Sequence, residues 1–292
     1  MKKRKGEIKG RTVAGGNKQR TNMEEEDASS PTVVTESVIL TPLVDAIEHR
    51  HTVVIDVPNA FIQITVHDKK RRVIIRMRGM LVDILVKIAL EVECLNKIYG
   101  TMVAGLLYYE NFTNSLSENG YEMNPYNPCV WNKIIDGTQS TICFHVDDCK
   151  ISHASKKVIN QTIEWLWKDY ESIFKDSSGK MKVSRGNTHK YLGMNLDFST
   201  KGQVKISMIE YVKEVIAAWD RAKEKKDYDF VEVVCKHGKK SKTSEAPDDL
   251  FKIDEYAKKL DTKFSTAFHN TVAKALYLVK RARPDASLVL HF

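Results

Sequence analysis

Two β-prone runs, residues 141–144 and 149–152, close around the adjacent acids Asp147 and Asp148. Short β-branched and aromatic runs on either side of a polar tip predict a hairpin that turns near Val146-Asp147. Side chains on a regular strand alternate between faces, so neighbouring acids serve one site only where a tip breaks the alternation. A third acid arrives by another route. Thr52-Val53-Val54-Ile55 is a β-branched run that ends at Asp56, with Pro58 and Asn59 just beyond, and it predicts a buried strand delivering a carboxylate at its end.

The elements around these acids follow from periodicity. A helix opens near Thr35, with Val38, Ile39, Leu43, Val44 and Ile47 as its apolar positions and Pro42 as a kink. Residues 73–77 predict a short strand, and an apolar stretch of ambiguous type follows at 81–90. Leu106, Leu107, Tyr109, Phe112 and Leu116 mark an amphipathic helix that Gly120 would terminate. Ser155 caps a core-facing helix carrying Val158, Ile159, Ile163, Leu166, Trp167, Tyr170, Ile173 and Phe174. Residues 191–198 and 203–206 read as a second hairpin about Lys201-Gly202. Ser207 and Glu210 read as a capping box for a helix through Trp219. Residues 221–250 read as a charged linker, and a last helix over about 265–281 ends before Pro284.

Composition sets the setting. With 292 residues and 42% hydrophobic content the chain can bury a substantial core, and 46 Lys and Arg against 38 Asp and Glu give +8, which favours a polyanionic partner. Five scattered cysteines form no disulfide framework. No apolar run approaches the roughly 20 residues of a membrane-spanning helix, and the basic N-terminus lacks a hydrophobic signal core. A soluble intracellular protein is expected, in a cytoplasmic particle or the nucleus. Lys2-Lys3-Arg4-Lys5 reads as an import signal or as a solvated charge cluster.

Carboxylates from separate elements are what two-metal phosphoryl or nucleotidyl transfer requires, because hard oxygen ligands must converge on ions about 3.5–4 Å apart. Asp56, Asp147 and Asp148 can supply them. Crowded carboxylates also raise one another's pKa, a cost that bound cations remove. Read singly, each has a plainer explanation as turn or strand-end chemistry. Cys143, His145, Cys149 and His153 surround the same hairpin and form a competing zinc set of unfamiliar spacing.

The wording around the acids is more specific. Asp56-Val57-Pro58-Asn59-Ala60-Phe61-Ile62-Gln63 resembles the first palm motif of Ty/copia-type reverse transcriptases of LTR retrotransposons, and Phe144-His145-Val146-Asp147-Asp148 resembles their Tyr-Val-Asp-Asp hairpin. In the same order, residues 8–16 resemble the fingers segment, and Ile98-Tyr99-Gly100 with Tyr108-Tyr109 a downstream block. Residues 124–130, Lys190-Tyr191-Leu192-Gly193-Met194 and Arg283-Pro284-Asp285 also fit, and the variant wording is similar to copia-like elements of microalgae.

The resemblance implies RNA-directed DNA synthesis with two Mg²⁺ ions held by Asp56, Asp147 and the Val57 backbone carbonyl, Asp148 assisting. It implies dNTP contacts at Asn59 and Ala60, a triphosphate clamp at Lys9 and Arg11, and Phe61 as the aromatic that excludes a ribose 2′-OH. Tyr99, Gly100 and the Tyr191-Leu192-Gly193 hairpin fall where the family contacts primer and template. The implied partners are an RNA/DNA template-primer and dNTPs, without a membrane.

Departures accompany the match. Val103 stands where the family carries Gln, the stretch 87–97 is short, and RNase H and integrase signatures are missing, so a truncated piece of a polyprotein is expected. Three readings stand: a reverse transcriptase fragment, a catalytically decayed remnant that only binds nucleic acid, and a two-metal nuclease reusing the same acids. The expected fold is α+β, an antiparallel reverse-transcriptase palm with helices on one face, partial fingers and a partial thumb or connection. Its expected parts are a basic arm at 1–34, a core at 35–220, the linker at 221–250 and the start of a thumb or connection at 251–292.

Overall fold

In a computed structural model of the chain, the described residues are 29–57, 103–170, 181–223 and 262–282. The expectations for residues 73–77, 81–90 and the 221–250 linker beyond Lys223 lie outside them. Two compact units divide the chain, Met1–Lys205 and Ile206–Phe292.

In the first unit the elements run α1 (Thr35–Ile47), β1 (His51–Asp56), α2 (Val103–Glu118), β2 (Glu122–Asn124), β3 (Asn127–Ile135), β4 (Thr138–His145), β5 (Asp148–His153), α3 (Lys156–Tyr170), β6 (Lys182–Ser184), β7 (Thr188–Tyr191) and β8 (Met194–Asp197). Strands β1 to β6 form one sheet of order β2-β3-β4-β5-β1-β6 with antiparallel pairs throughout. The fold is α+β. The all-apolar wording of β1 has a simple cause: Thr52, Val53, Val54 and Ile55 are all buried, which requires cover on both faces of the sheet.

Register sorts those faces. Directly paired residues share a face, so Ile55, Cys149 and Phe144 lie on one side while Val54, Lys150 and Cys143 lie on the other. The first side is apolar and meets α2, where Phe112 and Phe144 pack edge to face at 4.7 Å. On that side the Tyr121 hydroxyl bridges Ser140 of β4 (3.0 Å) and Thr162 of α3 (3.3 Å).

The second side departs from the expected architecture, since helices cover both faces of the sheet instead of one. Lys150 is fully buried and forms an ion pair with Asp45 of α1, itself 1% exposed. A buried ammonium without an acid partner would be strongly unfavourable, and that demand draws α1 onto this face. It also turns the helix. Its buried residues are Val38, Pro42, Asp45 and Ala46, whereas Leu43, Val44 and Ile47, expected inside, are exposed. Past the helix, His49 takes φ 55, the left-handed position usually given to glycine at such a stop.

Other expectations meet the structure closely. Gly120 at φ 75 ends α2, and Val158, Ile159, Ile163 and Leu166 are the buried stripe of α3, while Ile173 and Phe174 lie outside the described residues. The turn expected at Lys201-Gly202 is present, Gly202 standing at φ 74, and the strand beyond it at residues 205–207 is the neighbour of β8 in a three-stranded sheet with β7; a further turn at Leu192-Gly193, both at positive φ, joins β7 to β8 inside the first arm. No helix among the described residues is long and apolar enough to cross a membrane.

A short strand, β9 (Lys205–Ser207), spans the boundary between the units. The second unit carries α4 (Ile209–Lys223) and α5 (Thr262–Ala282). Val212 N–H donates to the Met208 carbonyl (3.0 Å), so Met208 and not Ser207 occupies the cap position. Trp219 near the end of α4 meets Phe264 near the start of α5, while Tyr211 meets Tyr277, so the two helices run antiparallel.

Candidate active site

β1 and β5 pair antiparallel over six positions, and the last pair is Asp56 with Asp148. Asp148 is in turn paired with His145 of β4, and Asp56 with Lys182 of β6. One transverse row at the sheet end therefore reads Lys182, Asp56, Asp148, His145, on one face. Asp147 occupies the two-residue tip, and its carbonyl accepts the Val57 N–H at 3.0 Å, which latches the end of β1 to the hairpin. Three acids far apart or adjacent in sequence thus meet at one sheet end.

The tip itself is strained. Val146 stands at φ 56 in the first position of the turn, where a two-residue hairpin normally needs glycine. A β-branched residue in the left-handed region is a true outlier, and such strain tends to collect at functional sites.

Electrostatics agree with the crowding. Burial, then the charge of Asp147, then that of Asp56, push the Asp148 carboxyl up from 3.8 to about 6. Across the sheet, Lys182 Nζ lies 3.8 Å from Asp56 Oδ2, both groups being well exposed. A screened pair of this kind contributes on the order of 0–1 kcal/mol. Further along the face, the Tyr191 hydroxyl donates to the Cys143 carbonyl at 3.0 Å, tying the β7–β8 hairpin to β4 two residues before His145.

The donor set fits a hard divalent cation, because this sheet end brings together the carboxylate-bearing residues Asp56, Asp147 and Asp148. Among the described residues, no group of three or more His, Cys, Asp or Glu side chains stands ready to hold a metal by itself. Mg²⁺ does not demand one, since it is commonly held by one or two carboxylates with substrate phosphates and waters completing its shell. The competing zinc set is divided by the sheet. Register places Cys143 and His145 on one face and Cys149 and His153 on the other, where His153 Nε2 is engaged with Thr138 Oγ1 at 2.8 Å.

Of the other expected site residues, Tyr191 and Leu192 are buried and Gly193 forms the β7–β8 turn. Lys9, Arg11, Asn59, Ala60, Phe61, Tyr99 and Gly100 lie outside the described residues. Two features escaped the sequence reading. Lys182 beside Asp56 sits in a three-residue strand too short to announce itself. Lys150 does carry a signal, a cation between Cys149 and Ile151 on a β-prone run, but its partner is 105 residues away.

Fold and site together define an α+β protein with carboxylates gathered at one end of an antiparallel sheet. A family model described as Reverse transcriptase (RNA-dependent DNA polymerase) matches residues 1–228, and the chain belongs to that family, the Ty/copia-type reverse transcriptases. No curated protein matches it.

Proposed function

We propose that this chain is the polymerase unit of a Ty/copia-type retroelement, joining dNTPs to a primer 3′-OH on an RNA template. One observation carries the reading: Asp56 and Asp148 are direct cross-strand partners with Asp147 at the adjoining tip, and burial, joined by the charges of those two acids, pushes Asp148 up to about 6. The six-stranded sheet is then the palm.

Asp56, Asp147 and the Val57 carbonyl would hold two Mg²⁺ ions, which lower the pKa of an attacking hydroxyl and offset charge on the transferring phosphoryl group. Asp148 orients the pair from its half-buried place in the row. The Val57–Asp147 backbone bond keeps the first acid and the tip in fixed register, the positioning on which phosphoryl transfer chiefly depends. His145 flanks the acids where the family has tyrosine. The β7–β8 hairpin, held by Tyr191, supports the primer end, and Lys182 neutralises part of the acid cluster. From the resemblance, Lys9 and Arg11 clamp the triphosphate, Asn59 and Ala60 line it, Tyr99 and Gly100 approach the template-primer, and Phe61 rejects rNTPs.

Primer extension on an RNA template with a DNA primer, dNTPs and Mg²⁺ tests the proposal. Wild-type protein extends the primer, and Asp147→Asn falls to background. Equal incorporation by both overturns the role of the acid. Salt-sensitive template binding without synthesis by wild-type protein would instead make the chain a binding remnant, and breakdown of labelled duplex without dNTPs would make it a nuclease.

A further inference from the structure

β1 has two ends, and the one remote from Asp56 opens on a cavity of about 490 Å³. It is lined by the α1–β1 junction, the start of α3 and the segments around residues 185–187 and 198–203. His51, the first residue of β1, forms part of the wall, so five strand steps of about 3.3 Å put roughly 17 Å between it and Asp56. This is a separate place on the molecule.

Its charge is one-sided. His49, His51, Lys156, Arg185 and Lys201 line the cavity, and the one carboxylate among the lining residues is Asp45. That acid is already matched, by Lys150 and by Arg50 at 3.9 Å, and Arg50 also holds Glu48 at 2.6 Å. Among the described residues, Lys156 and Lys201 have no carboxylate in ion-pair reach. Arg185 spends one amine on Asn160 Oδ1 at 2.8 Å, which leaves donors of its guanidinium for another acceptor. Burial, and after it the Lys156 charge, hold His51 below its ordinary pKa.

Two further features give the cavity a shape. Lys156 opens the fifteen-residue helix α3, whose first-turn N–H groups and dipole add to the attraction for anions. Phe198 also lines the wall, its ring set at 62° to His189 with centroids 6.2 Å apart, which fixes an aromatic surface beside the cations. The volume falls in the range of small-molecule sites, about 300–1,000 Å³.

We propose that this cavity binds a nucleoside oligophosphate, its phosphates among Lys156, Arg185, Lys201 and the start of α3, its base against Phe198. The site is independent of the acid row and needs no divalent cation, because the protein itself supplies the positive charge. At the acid row the reverse holds, since bare carboxylates repel a triphosphate.

Calorimetric titration of the full chain in EDTA separates the two. Wild-type protein and Asp147→Asn bind ATP alike, Lys156→Glu/Lys201→Glu binds it about tenfold or more weakly, and Phe198→Ala weakens ATP while leaving inorganic triphosphate unaffected. The proposal is overturned by any of three results: no ATP binding in EDTA, inorganic triphosphate binding as tightly as ATP, or a short single-stranded DNA bound through the two lysines when ATP is not. An unchanged thermal midpoint shows that the double variant is folded. Lys201→Glu alone, in an exposed turn, carries the test if it is not. None of these readouts depends on primer extension.

Discussion

Asp148 is the residue whose environment speaks most plainly about the site. Its pKa stands near 6 in the folded chain against 3.8 ordinarily, so the folded state retains a proton that the unfolded chain releases. By linkage the stability this confers is fully present below about pH 3.8 and is lost as pH rises through about 6. In EDTA the thermal midpoint should therefore decline across that window in wild-type protein more than in Asp148→Asn, and Mg²⁺ at pH 7 should restore it in wild type. A decline of equal size in both proteins removes Asp148 from the account. Val146 makes a second residue-scale case. Replacing it with glycine relieves the φ 56 strain at some entropic cost, and the net expectation is a gain of about 1 kcal/mol in urea unfolding together with a looser tip. A loss of stability would show that the valine side chain, not the turn, governs the tip. The strand end at Asp56 and the turn at Val146-Asp147 were legible in sequence because turn chemistry and strand ends are local signals. The mutual electrostatics of the acids were not, since burial depends on what packs around them.

The elements divide the same way. α2, α3 and the β4–β5 hairpin could be read from spacing, because Phe112, Leu116, Val158, Ile159 and Ile163 repeat at helical intervals and face an apolar sheet. α1 could not, because its inward face is chosen by Lys150, a buried cation on a strand over a hundred residues later. The turn at Lys201-Gly202 could be read from its glycine, whereas the one between β7 and β8 could not: Leu192-Gly193 lacks the usual Asn-Gly or Asp-Gly wording, yet both residues sit at positive φ. The Asp45–Lys150 pair is then the test of what holds α1 in place. Lys150→Ala should cost about 3–5 kcal/mol by stranding the acid, whereas Asp45→Leu with Lys150→Met should recover most of it. If the double replacement is as unstable as the single one, the pair does more than neutralise itself.

At the scale of the whole molecule, charge is arranged in opposition. In the first unit of a chain with formal charge +8, Asp56, Asp147 and Asp148 gather at one end of β1 and a basic cavity opens at the other. Affinity for an RNA–DNA hybrid should fall linearly in log K against log salt, with a slope of about −0.9 per phosphate contacted, as read by filter binding or anisotropy. A flat salt response would mean that the net charge does not face nucleic acid. Composition favours a polyanionic partner but cannot say where the charges gather, which is a matter of strand order.

The latch between Val57 and the carbonyl of Asp147 has an evolutionary reading. Because ladder pairing rather than contour length decides where the carboxylates meet, a change of length between the end of β1 and the start of α2 need not move Asp56 from its place beside Asp148 in a descendant. A single-residue insertion inside β5, by contrast, would swing Cys149 into the place of Asp148 and silence the lineage that inherits it.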